Sequence, residues 1–203
     1  MCKIICITNR ALCREAFLQR LERIAAGGAD AVILREKDLP EPEYAVLAEK
    51  AAEICQGCQV PLILHSFPQS AAKCKAAAVQ LPLPVLRGLS PERREQLSRF
   101  GVSCHAVSEA QEAEAAGASY LIAGHIFATD CKKGLPGRGL PFLHDVCSSV
   151  QIPVYAIGGM TPERVPAVLD AGAAGVCVMS GLMQCDDPAD LIRRLKGERQ
   201  DGI

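Results

Sequence analysis

Eight short apolar runs recur along the chain, and they restrict its fold more than any other feature. They occupy residues 3–8, 31–35, 60–65, 77–81, 101–105, 119–124, 152–157 and 175–179, and they are rich in Val, Ile, Leu or Cys. Runs this short and this uniformly apolar read as strands buried on both faces, as in parallel sheets. Amphipathic segments separate them. Between residues 12 and 26, Leu12, Ala16, Leu18, Leu21, Ile24 and Ala25 fall at helical spacing, with Arg14, Gln19, Arg20 and Glu22 opposite. Residues 42–55 read the same way. Ser90 and Thr161 each precede a Pro-Glu pair, the pattern of a capping hydroxyl before proline at the first helical position. Ser108-Glu109-Ala110-Gln111 reads as a capping box. Helix ends run into glycine at Gly27-Gly28, Gly57, Gly117 and Gly172. Three of these ends share a phrase, AGGADAV, AAGASYL and DAGAAGV, a weak internal repeat of strand–helix units.

Eight strands alternating with seven or eight helices in 203 residues point to one α/β domain, a minimal (β/α)8 TIM barrel with its core at about residues 3–196 and a polar tail beyond. A doubly wound open sheet is the alternative. It is disfavoured because no GxGxxG follows the first run and because polar residues gather where the runs end. The apolar fraction of 49% and net charge of −1 give no sign of a nucleic-acid partner or an anionic membrane surface. The longest apolar runs fall far short of the ~20 residues that span a bilayer. MCKIICITNR reads as a first strand rather than a secretion signal. The chain holds eleven cysteines, an odd number, several inside apolar runs. That usage fits reduced, buried thiols in a cytoplasmic protein. Cys55-Gln-Gly-Cys58 has no second pair with which to complete a zinc site.

In a barrel of this kind the chemistry sits where strands end. The runs end in Thr8-Asn9-Arg10, Arg35-Glu36-Lys37-Asp38, His65-Ser66, Gln80-Leu81-Pro82, Ser103 and His105, Gly124-His125, Gly158-Gly159, and Met179-Ser180-Gly181. The last two ends suit a phosphate held by main-chain N–H groups, or simply make tight turns. Arg35 and Lys37 stand two apart, so an extended backbone sends both to one side. There they form either a cationic clamp for an anionic substrate or a solvated cluster paired with Glu36 and Asp38. His65 and His105 end strands as supporting groups, and His144 reads as a surface or packing residue. His125 follows a glycine that leaves room beside it, and imidazole titrates in the range that suits proton transfer near neutrality. Acids near strand ends are few (Glu36, Asp38 and Asp130), and none pairs with a second acid as a magnesium site requires. Phosphate anchor, cationic clamp and histidine base together suit a metal-free proton shift or elimination on a small phosphorylated molecule.

The segments ITNR, LREKD, GVSCH, GHIFATDCKKG, AIGGM and VMSG, taken in order, resemble the thiamine phosphate synthase superfamily from residue 3 to about 195. The loop GHIFATDCKKGLPGRG is most similar to the TenI-type branch, the thiazole tautomerases. Synthases of the superfamily carry Asn-Asp at the end of strand three and another aspartate in a phrase like HLGQxD after strand four; these hold the magnesium that binds pyrophosphate. Here the corresponding residues are His65-Ser66 and QLPLPVL. Synthases have proline after the strand-six glycine, where this chain has His125. The resemblance therefore implies a thiazole tautomerase with no metal and no cofactor. Its substrate is a phosphorylated thiazole carboxylate bearing an exocyclic double bond, and its catalytic residue is His125. Lys37 is assigned charge stabilisation or proton return, with Glu36 as competitor. Arg35 meets the substrate carboxylate. Gly159, Ser180 and Gly181 hold the phosphate, and Ser103, Thr129 and Lys132 line the site. A homodimer is implied by the same resemblance. Two other readings stay open: a thiamine phosphate synthase with altered metal binding, and a non-catalytic regulator that binds a thiazole phosphate.

Overall fold

The computed structural model describes residues 2–74, 76–132 and 134–198, with the side chains of Ala72 and Asp130 excepted. The polar tail beyond Glu198 lies outside the described residues. Eight parallel strands close on themselves in sequence order, β1 (Lys3–Ile7), β2 (Ala31–Leu34), β3 (Leu62–His65), β4 (Ala78–Pro82), β5 (Phe100–Cys104), β6 (Tyr120–Gly124), β7 (Val154–Ile157) and β8 (Gly175–Val178). β8 returns to β1 with Cys177 beside Ile5, which completes the barrel. The helices are α1 (Phe17–Ala26), α2 (Glu41–Gly57), α3 (Pro68–Lys73), α4 (Leu83–Arg87), α5 (Pro91–Glu95), α6 (Val107–Ala115), α7 (Gly139–Ser149), α8 (Val165–Asp170), α9 (Ser180–Gln184) and α10 (Pro188–Leu195). None is long and apolar enough to cross a membrane.

The uniform apolarity of the strands follows from their two buried faces. Ile5, Ile7, Ala31, Ile33, Ile63, Ala78, Tyr120, Ile122 and Cys177 fill the barrel interior. Their neighbours Ile4, Cys6, Val32, Leu34, Leu62, Leu64, Val79 and Leu81 face the helices, so alternate residues serve two cores. The repeated helix-end phrase has a common geometry. Gly28, Gly117 and Gly172 take φ of 92°, 90° and 98°, the left-handed turn that a side chain resists. The alanine after each donates back to a carbonyl five residues earlier, as in Ala118 N to Ala113 O at 3.0 Å. The same turn ends α2 at Gln59, φ 57°, with no glycine to ease it. All eleven cysteines are free. Cys55 of the CxxC pair is buried in the core, where desolvation pushes its thiol up to about 12.

Three helix starts differ from the sequence pattern. Helix formation begins at Phe17 rather than at residue 12, because Asn9 accepts the Ala11 N–H at 3.2 Å and winds Arg10–Leu12 into a separate 3-10 turn. Thr161 does not cap α8. Pro166 has no N–H to give Pro162, so the helical ladder starts at Val165, with Arg164 at the cap position. Ser108 lies inside α6, and the Glu109 carboxylate instead reaches back to the His105 N–H. Ser90 does cap α5, accepting the Arg93 N–H at 3.4 Å.

Candidate active site

The strand ends surround a cavity of about 810 Å3. Its floor is apolar, formed by Ile7, Ile33, Ile122, Ile157 and Cys177. Its rim carries four cations, Arg35, Lys37, Lys132 and Arg164, and His125. Of the residues singled out from sequence, Arg35, Lys37, Ser103, His125, Thr129, Lys132, Gly159, Ser180 and Gly181 all line it. Glu36 does not.

The reason for Glu36 lies in the alternation at the end of β2. Arg35 and Lys37 turn towards the cavity, and Glu36 between them turns away. Its carboxylate accepts Thr8 Oγ1–H at 2.6 Å and the Arg10 N–H at 3.0 Å, and the residue is buried. Thr8 in turn accepts the Arg35 N–H at 2.9 Å, so the end of β1 sets the position of Arg35. Asp38 is engaged by Arg10 at 2.6 Å. Both acids of the cluster are therefore held by Arg10, which leaves Arg35 and Lys37 without a direct ion-pair partner among the described residues. Burial holds the Arg35 guanidinium below its ordinary value. Arg35, then burial and Lys132, lower the Lys37 ammonium.

β3 to β5 supply a wall of uncharged polar groups. His65 is buried, and desolvation, with Arg35 and Lys37 nearby, drives its pKa from 6.5 to about 4. The imidazole is neutral at physiological pH, with Nδ1 2.7 Å from Ser66 Oγ. Tyr44 of α2 fixes this corner by donating to Leu34 O at 2.7 Å and accepting the His65 N–H at 3.0 Å. Gln80 Nε2 donates to Ser103 Oγ at 3.0 Å. His105 Nδ1 lies 2.6 Å from the Gly124 carbonyl. A carbonyl only accepts, so Nδ1 carries the hydrogen, and the bond holds the residue just before His125. His144 of α7 is exposed, as read from sequence.

His125 is half-buried at the mouth, and its Nε2 has no hydrogen-bond partner among the described residues. The surrounding backbone sets its place. Ile126 N donates to Ile157 O at 2.8 Å, Phe127 N to Gly158 O at 3.1 Å, and Arg138 N to His125 O at 3.0 Å. Gly158, at φ 106°, packs so closely that an added Cβ would stand 2.6 Å from His125 Cβ. Gly159 and the opening residues of α9 form the adjacent end. The first N–H groups of a helix have no intrahelical acceptor, and Ser180 adds a hydroxyl. Residues of the loop after His125, Ala128, Thr129, Cys131, Lys132, Gly134 and Leu135, cover the same cavity.

Arg164 was not singled out from sequence. It stands at the cap position of α8, and there it lines the cavity rim. Nor did the sequence reading include the helix α4 that follows β4 directly, where Leu83 and Leu86 are buried in the core and Pro82 closes the cavity wall. The end of β3, at His65-Ser66, and the phrase at and after the end of β4, QLPLPVL, are where the superfamily's synthases are expected to present magnesium ligands. Among the described side chains no carboxylate lines the cavity, and no cluster of three or more His, Cys, Asp or Glu is of a kind to hold a metal ion. His65, Ser66 and Gln80 do not fit magnesium, a hard cation that takes carboxylate oxygens. The side chain of Asp130 lies outside the described part.

A closed parallel barrel with paired glycines after β7, a short helix after β8 and a cationic mouth places the chain among the TIM barrels, whose loops after strands seven and eight frequently bind phosphate. The chain belongs to the thiamine monophosphate synthase family, whose model matches residues 4–182. It is 38% identical over 179 residues to thiamine-phosphate synthase 2 of Streptococcus pneumoniae, an alignment covering 85% of this chain and 83% of that one. It is 31% identical to the thiamine-phosphate synthase of Clostridium acetobutylicum, covering 94% and 92%. Among solved structures, the thiamine phosphate pyrophosphorylase from Pyrococcus furiosus superposes with a TM-score of 0.82 at 28% identity, covering 97% of this chain and 94% of that one. The family is one of enzymes in thiamine biosynthesis.

Proposed function

We propose that the chain is a thiazole tautomerase, which aromatises a phosphorylated thiazole carboxylate carrying an exocyclic double bond. The observation that carries this reading is the cavity itself: a rim of cations with His125 at the mouth and no carboxylate among the described lining side chains. A substrate with a carboxylate and a phosphate needs two separated anion-binding ends. Arg35 and Lys37 supply a cationic end for the carboxylate, and the main-chain N–H groups at Gly159, Ser180 and Gly181 supply a neutral donor end for the phosphate.

In this reading His125 removes the ring proton beside the carboxylate. Electron density moves through the adjacent imine, the exocyclic carbon accepts a proton, and the ring becomes aromatic. Nothing is oxidised or reduced, and one proton leaves carbon as another arrives. A positioned base contributes about 10²–10⁴-fold. Lys37 is the group for charge stabilisation or proton return, since its lowered pKa brings it nearer neutrality. Glu36, the sequence-based competitor, acts as support, because its carboxylate is committed to Thr8 and Arg10.

The kinship with thiamine-phosphate synthases favours a second reading, a thiamine-phosphate synthase. That reaction joins a pyrimidine pyrophosphate to a thiazole phosphate, and Arg35, Lys37 and Lys132 would suit a pyrophosphate. The ends of β3 and β4 do not fit the magnesium it requires. Two assays on chelator-treated protein separate the readings. Ultraviolet absorbance follows the exocyclic tautomer without metal, and a coupled assay follows condensation with magnesium. Accelerated aromatisation, lost in His125→Gln, supports the tautomerase. Condensation with magnesium and no aromatisation overturns it.

A further inference from the structure

We infer that Arg164 is the side chain by which the site selects phosphorylated ligands, a clasp that closes the glycine cradle on a phosphate dianion. The inference builds on the proposed phosphate end of the cavity but not on which reaction follows. Arg164 lines the same cavity as Gly159, Ser180 and Gly181. Its Nη1 donates to the Gly159 carbonyl at 2.5 Å, and its guanidinium lies over the Phe127 ring, 4.7 Å from the centroid. The hydrogen bond and the ring together fix the plane of the guanidinium. A guanidinium has five N–H donors in a rigid fork, and one contact uses one of them.

The charge is also free. Among the described residues no carboxylate lies within salt-bridge distance of Arg164, and the neighbouring Glu163 is turned to Arg194 at 3.7 Å. An arginine oriented at a cavity rim, with donors to spare and no acidic partner, is arranged for an anion. The cradle alone supplies neutral N–H groups and one hydroxyl, so the side chain adds the charge that separates a phosphate ester from its alcohol. The seat on Phe127 has a further consequence. Phe127 lies two residues from His125, and a Cβ at Gly159 would stand 2.9 Å from Phe127 Cβ. Phosphate held by Arg164 therefore braces the segment that carries the base, which is how binding energy remote from the reacting atoms is used in catalysis.

Titration calorimetry with inorganic phosphate tests the clasp without any reaction. We expect Arg164→Gln to bind phosphate about tenfold more weakly than the parent, the loss of one charge-assisted contact. Arg164→Lys keeps the charge without the fork and should lose about threefold. Thermal unfolding without phosphate checks that each variant is folded, and if Arg164→Gln is not, the lysine variant alone decides. Phosphate affinity in the folded variants equal to the parent's overturns the inference. In the aromatisation assay, kcat/KM for the phosphorylated substrate should fall several-fold more in Arg164→Gln than kcat/KM for the corresponding alcohol; equal falls for both would show Arg164 to be only structural. Failure of the tautomerase reading leaves the calorimetric result standing, and failure of the clasp leaves aromatisation standing.

Discussion

The two halves of the cavity mouth are built differently. From β6 to β8 the wall is mostly backbone: glycines pressed against the His125 segment, main-chain N–H groups, and the opening of α9. From β2 to β5 it is side chains: Arg35 and Lys37, a neutral His65, and the Gln80–Ser103 and His105–Gly124 bonds. A backbone wall can grip a phosphate whatever the rest of the ligand is. A side-chain wall depends on residue identity, and it is there that this chain has His65-Ser66 and the phrase QLPLPVL in place of the Asn-Asp pair and the later aspartate expected of a synthase. In the proposed reading the comparison makes the anchor generic and leaves the opposite wall, together with His125, to set the chemistry.

The largest effect should come where the backbone half touches the base. Gly158→Ala puts a methyl 2.6 Å from His125 Cβ at a φ of 106°, so either the β7 turn or His125 must move. We expect kcat to fall about 10²-fold or more, approaching the 10²–10⁴-fold expected for losing the base in His125→Gln. Absorbance kinetics on the folded variant measure it. Near-parent kcat in Gly158→Ala would mean that the base is not positioned by this contact.

The side-chain half should reveal itself in acid. The folded pKa of His65 is about 4 against an ordinary 6.5. Above pH 6.5 neither state holds the proton, and the folded state pays no penalty there. As pH falls from 6.5 to 4, the unfolded chain takes up a proton that folded His65 refuses. Stability then declines by roughly 1.4 kcal/mol per unit, or about 3 kcal/mol over the window. Below the folded pKa the slope vanishes. Urea unfolding at stepped pH should show this slope in the parent and its loss in His65→Asn; the same slope in both would assign it to another group.

Arg35 is expected to bind more than it catalyses. Arg35→Gln should raise KM for the carboxylated substrate about tenfold, the worth of one charge-assisted contact. It also removes the main cause of the lowered Lys37 pKa, so that value should rise. A pH–rate profile shifted towards higher pH would tie Lys37 to the proton step. A fall in kcat alone, with KM unmoved, would assign Arg35 to the transition state instead.

Much of this was legible in the sequence, because periodicity and turn chemistry are local. The eight apolar runs fell within two residues of the strands, and GHIFATDCKKG held His125 and loop residues that line the cavity. Long-range hydrogen bonds were not legible. Nothing near Glu36 in sequence says that Thr8 and Arg10, more than twenty residues away, will turn its carboxylate from the site. Arg164 was hidden for a different reason. Its place at the cap position depends on where α8 starts, and Pro166 delays that start. The signal was present, a second proline four residues past the first helical position that Thr161-Pro162-Glu163 suggested.

The smallest expected effect is at the centre of the side-chain wall. Ser103→Ala leaves Gln80 Nε2 without its acceptor, in a residue whose Oε1 already lacks a partner among the described residues. Leaving a buried donor unsatisfied costs about 1–2 kcal/mol, which lowers Tm by roughly 2–8 °C in a domain of this size. Calorimetry should register that loss, and kcat/KM should fall only about threefold, because the Gln80–Ser103 bond serves mainly to hold the wall. Suppose instead that Tm is unmoved and turnover falls a hundredfold. Ser103 would then be making its hydroxyl contact with the substrate, and the uncharged wall would belong to the reacting centre rather than frame it.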